Sequence, residues 1–120
     1  MHPSLVSLLS AALFCSAAAA EPVPTDQDKR MLGKCAVLGF AVFKAGSAFS
    51  EDWSRMGRSL MFMPAVIDPP LKSDPAFAAG RDEMERLLAG QDVTPGNAEV
   101  VRTFDACLRW ADAFMKKQGK

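Results

Sequence analysis

Two side chains in this 120-residue chain have both the type and the spacing for covalent chemistry, Cys35 and Cys107. The third cysteine, Cys15, lies in an apolar amino-terminal stretch with the composition of a removable leader. No Cys-x-x-Cys pair is present, which is the arrangement dithiol redox chemistry uses. In an exported chain the two remaining cysteines allow one intramolecular pairing, across 107 − 35 = 72 positions. Closing a loop of that length contributes roughly 4–5 kcal/mol in the chain-entropy account. A small domain has only about 5–15 kcal/mol in total. A structural disulfide between Cys35 and Cys107 is therefore predicted.

The other chemistry-bearing residues point away from catalysis. The one histidine is His2, inside the leader, and there is no tyrosine. That removes the commonest general base, the Ser-His and Cys-His nucleophile pairs and the usual zinc constellations. There is no P-loop and no Gly-x-Gly-x-x-Gly. Asp82, Glu83 and Glu85 are the densest carboxylates, but Arg81 and Arg86 interleave with them, and Asp82 and Arg86 have i,i+4 spacing. They read as a solvated helix face with internal ion pairs rather than a glycosidase-like pair. Met61-Phe62-Met63 offers thioethers of the kind that suit Cu(I). Packing or partner contact explains these methionines more simply. The sequence thus predicts no enzyme, no metal and no cofactor.

The elements that would position these residues begin with the leader. Leu5–Phe14 has the length of a signal h-region, and Ala18-Ala19-Ala20 supplies small residues at −3 and −1. Pro22 and Pro24 follow and oppose a continuing helix. Cleavage is expected between Ala20 and Glu21, leaving residues 21–120 as one helical domain in the periplasm or outside the cell. A membrane anchor would need roughly 20 apolar residues, and a lipoprotein reading of Cys15 is opposed by bulky Phe14. The longest apolar run after the leader, Cys35–Phe43, is also too short to span. All 14 basic and all 14 acidic residues follow Ala20, so the domain is formally neutral. It has no net field to attract nucleic acid or an anionic membrane surface.

Four segments have helical periodicity and none alternates as a strand. The first runs from an N-cap at Thr25 to about Phe49, with Cys35, Leu38, Val42, Ala45 and Phe49 on one face. Gly33, Gly39 and Gly46 interrupt it, each at a cost of about 1 kcal/mol relative to alanine. Close approach of a neighbouring helix is the expected reason. Ser50 caps a second helix carrying Trp53, Met56, Leu60 and Met63, which Pro64 should end or kink. Asp74 and Pro75 open a third, with Phe77, Met84, Leu87 and Leu88 inward and Gly90 as its stop. Thr94-Pro95 repeats that device for a fourth, which buries Val100, Phe104, Cys107, Ala111 and Phe114. Both cysteines fall on buried stripes. The predicted fold is all-α, a compact array of about four helices with the first packed on the last and joined to it by the disulfide.

The stretch Met61–Leu71 (MFMPAVIDPPL) is apolar, yet its three prolines should hold much of it out of regular structure. Such a loop either folds over the core or exposes an apolar patch of the kind that marks an interaction site. Its candidate partner-binding residues are Met61, Phe62, Met63, Ile67 and Leu71.

The layout resembles the amidase immunity proteins of type VI secretion systems. The matching features are the leader, Leu32-Gly33-Lys34-Cys35, Glu51-Asp52-Trp53, Met63-Pro64, Glu83-Met84-Glu85-Arg86-Leu87 and Phe104-Asp105-Ala106-Cys107-Leu108. The Pro69-Pro70 insertion departs from that pattern. The resemblance implies a small periplasmic helical protein that binds and blocks a peptidoglycan-cleaving amidase, in a family whose members often act as homodimers. Beside it stands a second expectation, a carrier or chaperone-like module holding a hydrophobic ligand or client between its helices.

Overall fold

The computed structural model describes residues 24–67 and 69–119; the expected leader and its cleavage point lie outside the described residues. Four α-helices follow in order: α1 (Asp26–Ala45), α2 (Glu51–Ile67), α3 (Pro75–Leu88) and α4 (Ala98–Lys117). Short 3-10 turns at Gly46–Ala48 and Pro69–Ser73 link the first three, and no strand occurs among the described residues.

Thr25 opens α1 with a capping box. Its hydroxyl accepts from the Asp28 N–H at 3.1 Å, and the Asp28 carboxylate accepts from the Thr25 N–H at 3.1 Å. Two of the helix's four orphan donors are satisfied in this way. Lys117, at the far end of α4, brings its ammonium to 3.8 Å from the same buried Asp28 carboxylate. Asp74 caps α3 through the Ala76 N–H at 2.8 Å, with Pro75 in the first turn. Gly90, just beyond α3, has the positive φ of 78° that favours glycine after a helix.

Two glycine crossings set the layer. At Gly39 an added Cβ would lie 2.5 Å from the Gly57 carbonyl oxygen of α2; at Gly33 it would strike the Phe77 carbonyl of α3. The expectation of close helix approach holds at these two positions. Gly46 differs, having open space around it and a φ of 61°, so it serves the turn that ends α1. α1 therefore lies between α2 and α3, and α4 covers one face of that three-helix layer.

The core forms where α4 meets the layer. Leu38, Val42, Leu60, Met84, Val100 and Phe104 pack around the Cys35–Cys107 disulfide, whose Cα atoms are 5.6 Å apart. Trp53 extends this cluster, its ring centroid 5.5 Å from Phe49 and 5.0 Å from Phe104. A second cluster joins Leu32, Leu71, Phe77 and Phe114. The first and last helices are thus linked as predicted, through the disulfide and large side chains. The closest backbone approaches of α1 are instead to α2 and α3, where glycines remove the intervening side chains.

Several local expectations give way to packing. Pro64 neither ends α2 nor leaves Met61–Leu71 irregular: α2 continues to Ile67, and Pro69–Ser73 is a 3-10 turn. Pro64 is itself buried, and Ile67 and Leu71 beyond it reach the second cluster. Their burial offsets the cost of an interior proline, about 3 kcal/mol. α4 is capped by Asn97 rather than Thr94. The Asn97 Oδ1 accepts from the Glu99 and Val100 N–H groups at 3.1 and 3.2 Å, while Thr94 accepts in the preceding turn. Leu87, expected inward, is exposed. Finally, the run Asp26–Ala48 contains an 18-residue window of mean hydropathy 1.3 and is by length and composition apolar enough to cross a membrane. Counting only Cys35–Phe43 missed this. Here the run is the middle helix of the layer, with Leu32, Cys35, Leu38 and Val42 buried.

Candidate functional site

The clearest concave site lies between the carboxyl half of α2 and the start of α3. Met61, Phe62, Pro64 and Ala65 form one wall. Phe77 and Arg81 form the other, and Lys72 from the 3-10 turn closes the end. Its volume is about 390 Å³, near the lower end of the roughly 300–1,000 Å³ common for ligand sites.

The elements explain the placement. Gly33 and Gly39 draw α3 and α2 onto either side of α1, and the 3-10 turn returns the chain between them. Phe62 lies two residues beyond buried Leu60, and Phe40 two beyond buried Leu38. At roughly 3.6 residues per turn, each points about 200° away from its helix's core side chain. The Cys35–Cys107 disulfide fixes α4 on the core side, and no residue of α4 lines the cleft. Phe62 is 55 % exposed and Val66, one turn on, is 62 % exposed.

The five residues singled out from the sequence separate here. Met61 and Phe62 line the cleft. Met63 turns to the opposite side of α2, where it faces Leu108, Ala111 and Met115 of α4. Ile67 packs against the second core cluster, and Leu71 belongs to it at 2 % exposure. Leu71 is therefore part of the frame rather than of any accessible surface. The sequence reading missed Lys72 and Arg81. They are nine positions apart on different elements, and nothing local marks them as neighbours.

The charges of the cleft are one-sided. Among the described residues, Lys72 and Arg81 are its only ionisable lining groups. Arg81 has one distant ion pair, to Asp82 at 3.9 Å, and Lys72 has none among the described residues. Elsewhere charges meet at shorter range. The Glu83 carboxylate lies 3.3 Å from the Lys34 ammonium and 3.2 Å from the Arg30 guanidinium. The hydrogen bond from Lys34, its charge, and the bond from Arg30 hold Glu83 below its ordinary range. Asp74 is held low chiefly by the hydrogen bond from Lys29 at 2.9 Å, aided by the Ala76 N–H. The expected Asp82–Arg86 pair is not formed; Glu83 is the α3 carboxylate that makes the close contacts, across to α1. Among the described residues no three His, Cys, Asp or Glu side chains gather as metal donors.

No known protein family, curated protein or solved structure matches this chain.

Proposed function

We propose that the chain is an exported, non-enzymatic domain that works by binding another protein, with the α2–α3 cleft and its exposed apolar rim as the contact surface. The observation that carries this reading is Phe62. A phenylalanine 55 % exposed beside an apolar cleft, on a helix that buries Gly57, Leu60 and Pro64 instead, has no role in the core. Exposed apolar surface of this kind is retained at interaction sites. Aromatic anchors beside pockets dominate interface energetics.

Export supports the reading from another direction. A disulfide holding the first and last helices persists in oxidising compartments and is rare in the cytosol. A periplasmic or secreted location accords with the leader composition of residues 1–20. In its more specific form, the partner is a peptidoglycan amidase that the chain inhibits, as the layout around Cys35, Trp53 and Cys107 suggests.

The test is affinity capture from the exporting cell's periplasmic extract, run without reductant. The expected result is one exported protein retained by the parent and lost with Phe62→Ala. Recovery of no specific partner by the oxidised protein would contradict the proposal.

A further inference from the structure

The cleft has a chemical signature that narrows the partner. Its walls include Met61, Pro64, Ala65 and Phe77, and its only charges among the described residues are the cations Lys72 and Arg81. The chain as a whole has zero formal charge. On α4, by comparison, acidic and basic groups pair along the helix: Glu99 with Arg102, Asp105 with Arg109 and Asp112 with Lys116. On α2, Arg55 pairs with Asp52 at 2.9 Å. Among the described residues Lys72 has no such partner, and Arg81 has one carboxylate within ion-pair distance, Asp82 at 3.9 Å.

We infer that the cleft receives an acidic, apolar segment of the protein partner: an apolar side chain enters between Met61, Pro64 and Phe77, and flanking carboxylates meet Lys72 and Arg81. This rests on the protein-binding reading above and names the chemistry of its partner. Charge complementarity supports it. Arginine and lysine at the rim of an apolar pocket favour a partner whose anchor is flanked by carboxylates and disfavour a basic one. The arginine adds a planar fork suited to a carboxylate.

The inference is tested with synthetic probes on the disulfide-bonded exported protein. The first is a capped ten-residue peptide of glutamate and leucine. The controls are its lysine–leucine and glutamate–serine counterparts and phosphatidylglycerol vesicles. The glutamate–leucine peptide should shift the amide resonances of Ala65, Lys72 and Arg81, and leave those of Arg102 and Arg109 unmoved. Lys72→Glu combined with Arg81→Glu should weaken its binding about tenfold at low salt, with an unchanged melting temperature. Phe62→Ala should weaken it by a similar factor and serves where charge reversal perturbs folding. Equal or tighter binding of the lysine–leucine peptide overturns the inference. So does binding of vesicles without peptide, binding mapped to α4, or no binding of any probe at millimolar concentration. The two readings fail separately. A captured partner that binds the Lys72→Glu/Arg81→Glu variant undiminished removes the acidic-segment inference and leaves protein binding standing. Probe binding at the cleft with no captured partner does the reverse.

Discussion

Gly39 of α1 and Gly57 of α2 face each other where the two helices cross, each backbone occupying the space a side chain on the other would need. A Cβ on Gly39 would lie 2.5 Å from the Gly57 carbonyl oxygen, and one on Gly57 would lie 2.7 Å from that of Gly39. The obstacle in both directions is backbone, which cannot step aside as a flexible side chain does. This contact sets how far α2 stands from α1, and so where the α2 wall of the cleft lies.

Gly39→Ala should destabilise the protein although alanine is the better helix former. The propensity gain is about 1 kcal/mol, whereas overpacking against fixed backbone costs typically about 1–3 kcal/mol. A net loss of about 1 kcal/mol corresponds to a fall in Tm of roughly 4–8 °C in a domain of this size. Gly96→Ala is the control, since the nearest atom to its added Cβ is the Thr94 hydroxyl at 3.9 Å. Thermal unfolding of the two variants beside the parent checks this, and an equal Tm for all three would remove the crossing from the account.

Removing the disulfide should be costly, because Cys35 and Cys107 lie inside the main cluster, 72 residues apart in sequence. Cys35→Ala combined with Cys107→Ala should lose up to about 4 kcal/mol. Prolonged reduction of the parent, followed by alkylation, should lower Tm by a comparable amount. Intact mass reports the redox state. Two free thiols in the protein isolated without reductant would show the bond unformed.

Acid should destabilise the protein partly through Glu83. Its pKa is depressed below the ordinary 4.5 by Lys34 and Arg30. A carboxyl depressed on folding binds fewer protons in the folded than in the unfolded state, so its contribution is complete above the unfolded pKa. That contribution is lost as pH falls from about 4.5 through the lower folded value. Glu83→Gln should therefore lower Tm at neutral pH and converge with the parent at low pH. Screening by solvent keeps the effect small. Tm measured against pH for both proteins checks the sign; a parent less stable than Glu83→Gln at pH 7 would contradict it.

Leu71 and Phe62 should respond oppositely to truncation. Leu71→Ala empties a site in the second cluster and should cost about 2–5 kcal/mol. Phe62→Ala removes an exposed ring and should alter stability by no more than about 0.5 kcal/mol. Denaturant unfolding separates them. A large loss of stability on Phe62→Ala would place that ring in the frame rather than at the contact surface.

Much of the frame was legible in the sequence, for identifiable reasons. The α4 stripe of Val100, Phe104, Cys107, Ala111 and Phe114 is wholly buried, because an isolated amphipathic helix exposes its pattern directly. Thr25 and Asp74 were legible because capping is decided within three residues. Pro64 does not end the helix, because the local rule charges the proline its lost hydrogen bond, whereas the compensating burial of Pro64 and Leu71 is tertiary. Asn97 was overlooked for Thr94, since both are capping types and only the folded turn selects between them. Of the cleft, Met61 and Phe62 were recognisable as apolar residues in a proline-rich run. Lys72 and Arg81 carry no local mark, and only the return of the chain between α2 and α3 brings them together.

The most direct measurement is site-specific photocrosslinking in the exporting cell. One photoreactive residue replaces Phe62 on the cleft rim, and another replaces Asp105 on the outer side of α4. Position 62 should give a single discrete adduct with an exported protein, and position 105 none. No adduct from position 62, or the same adduct from both positions, would contradict it.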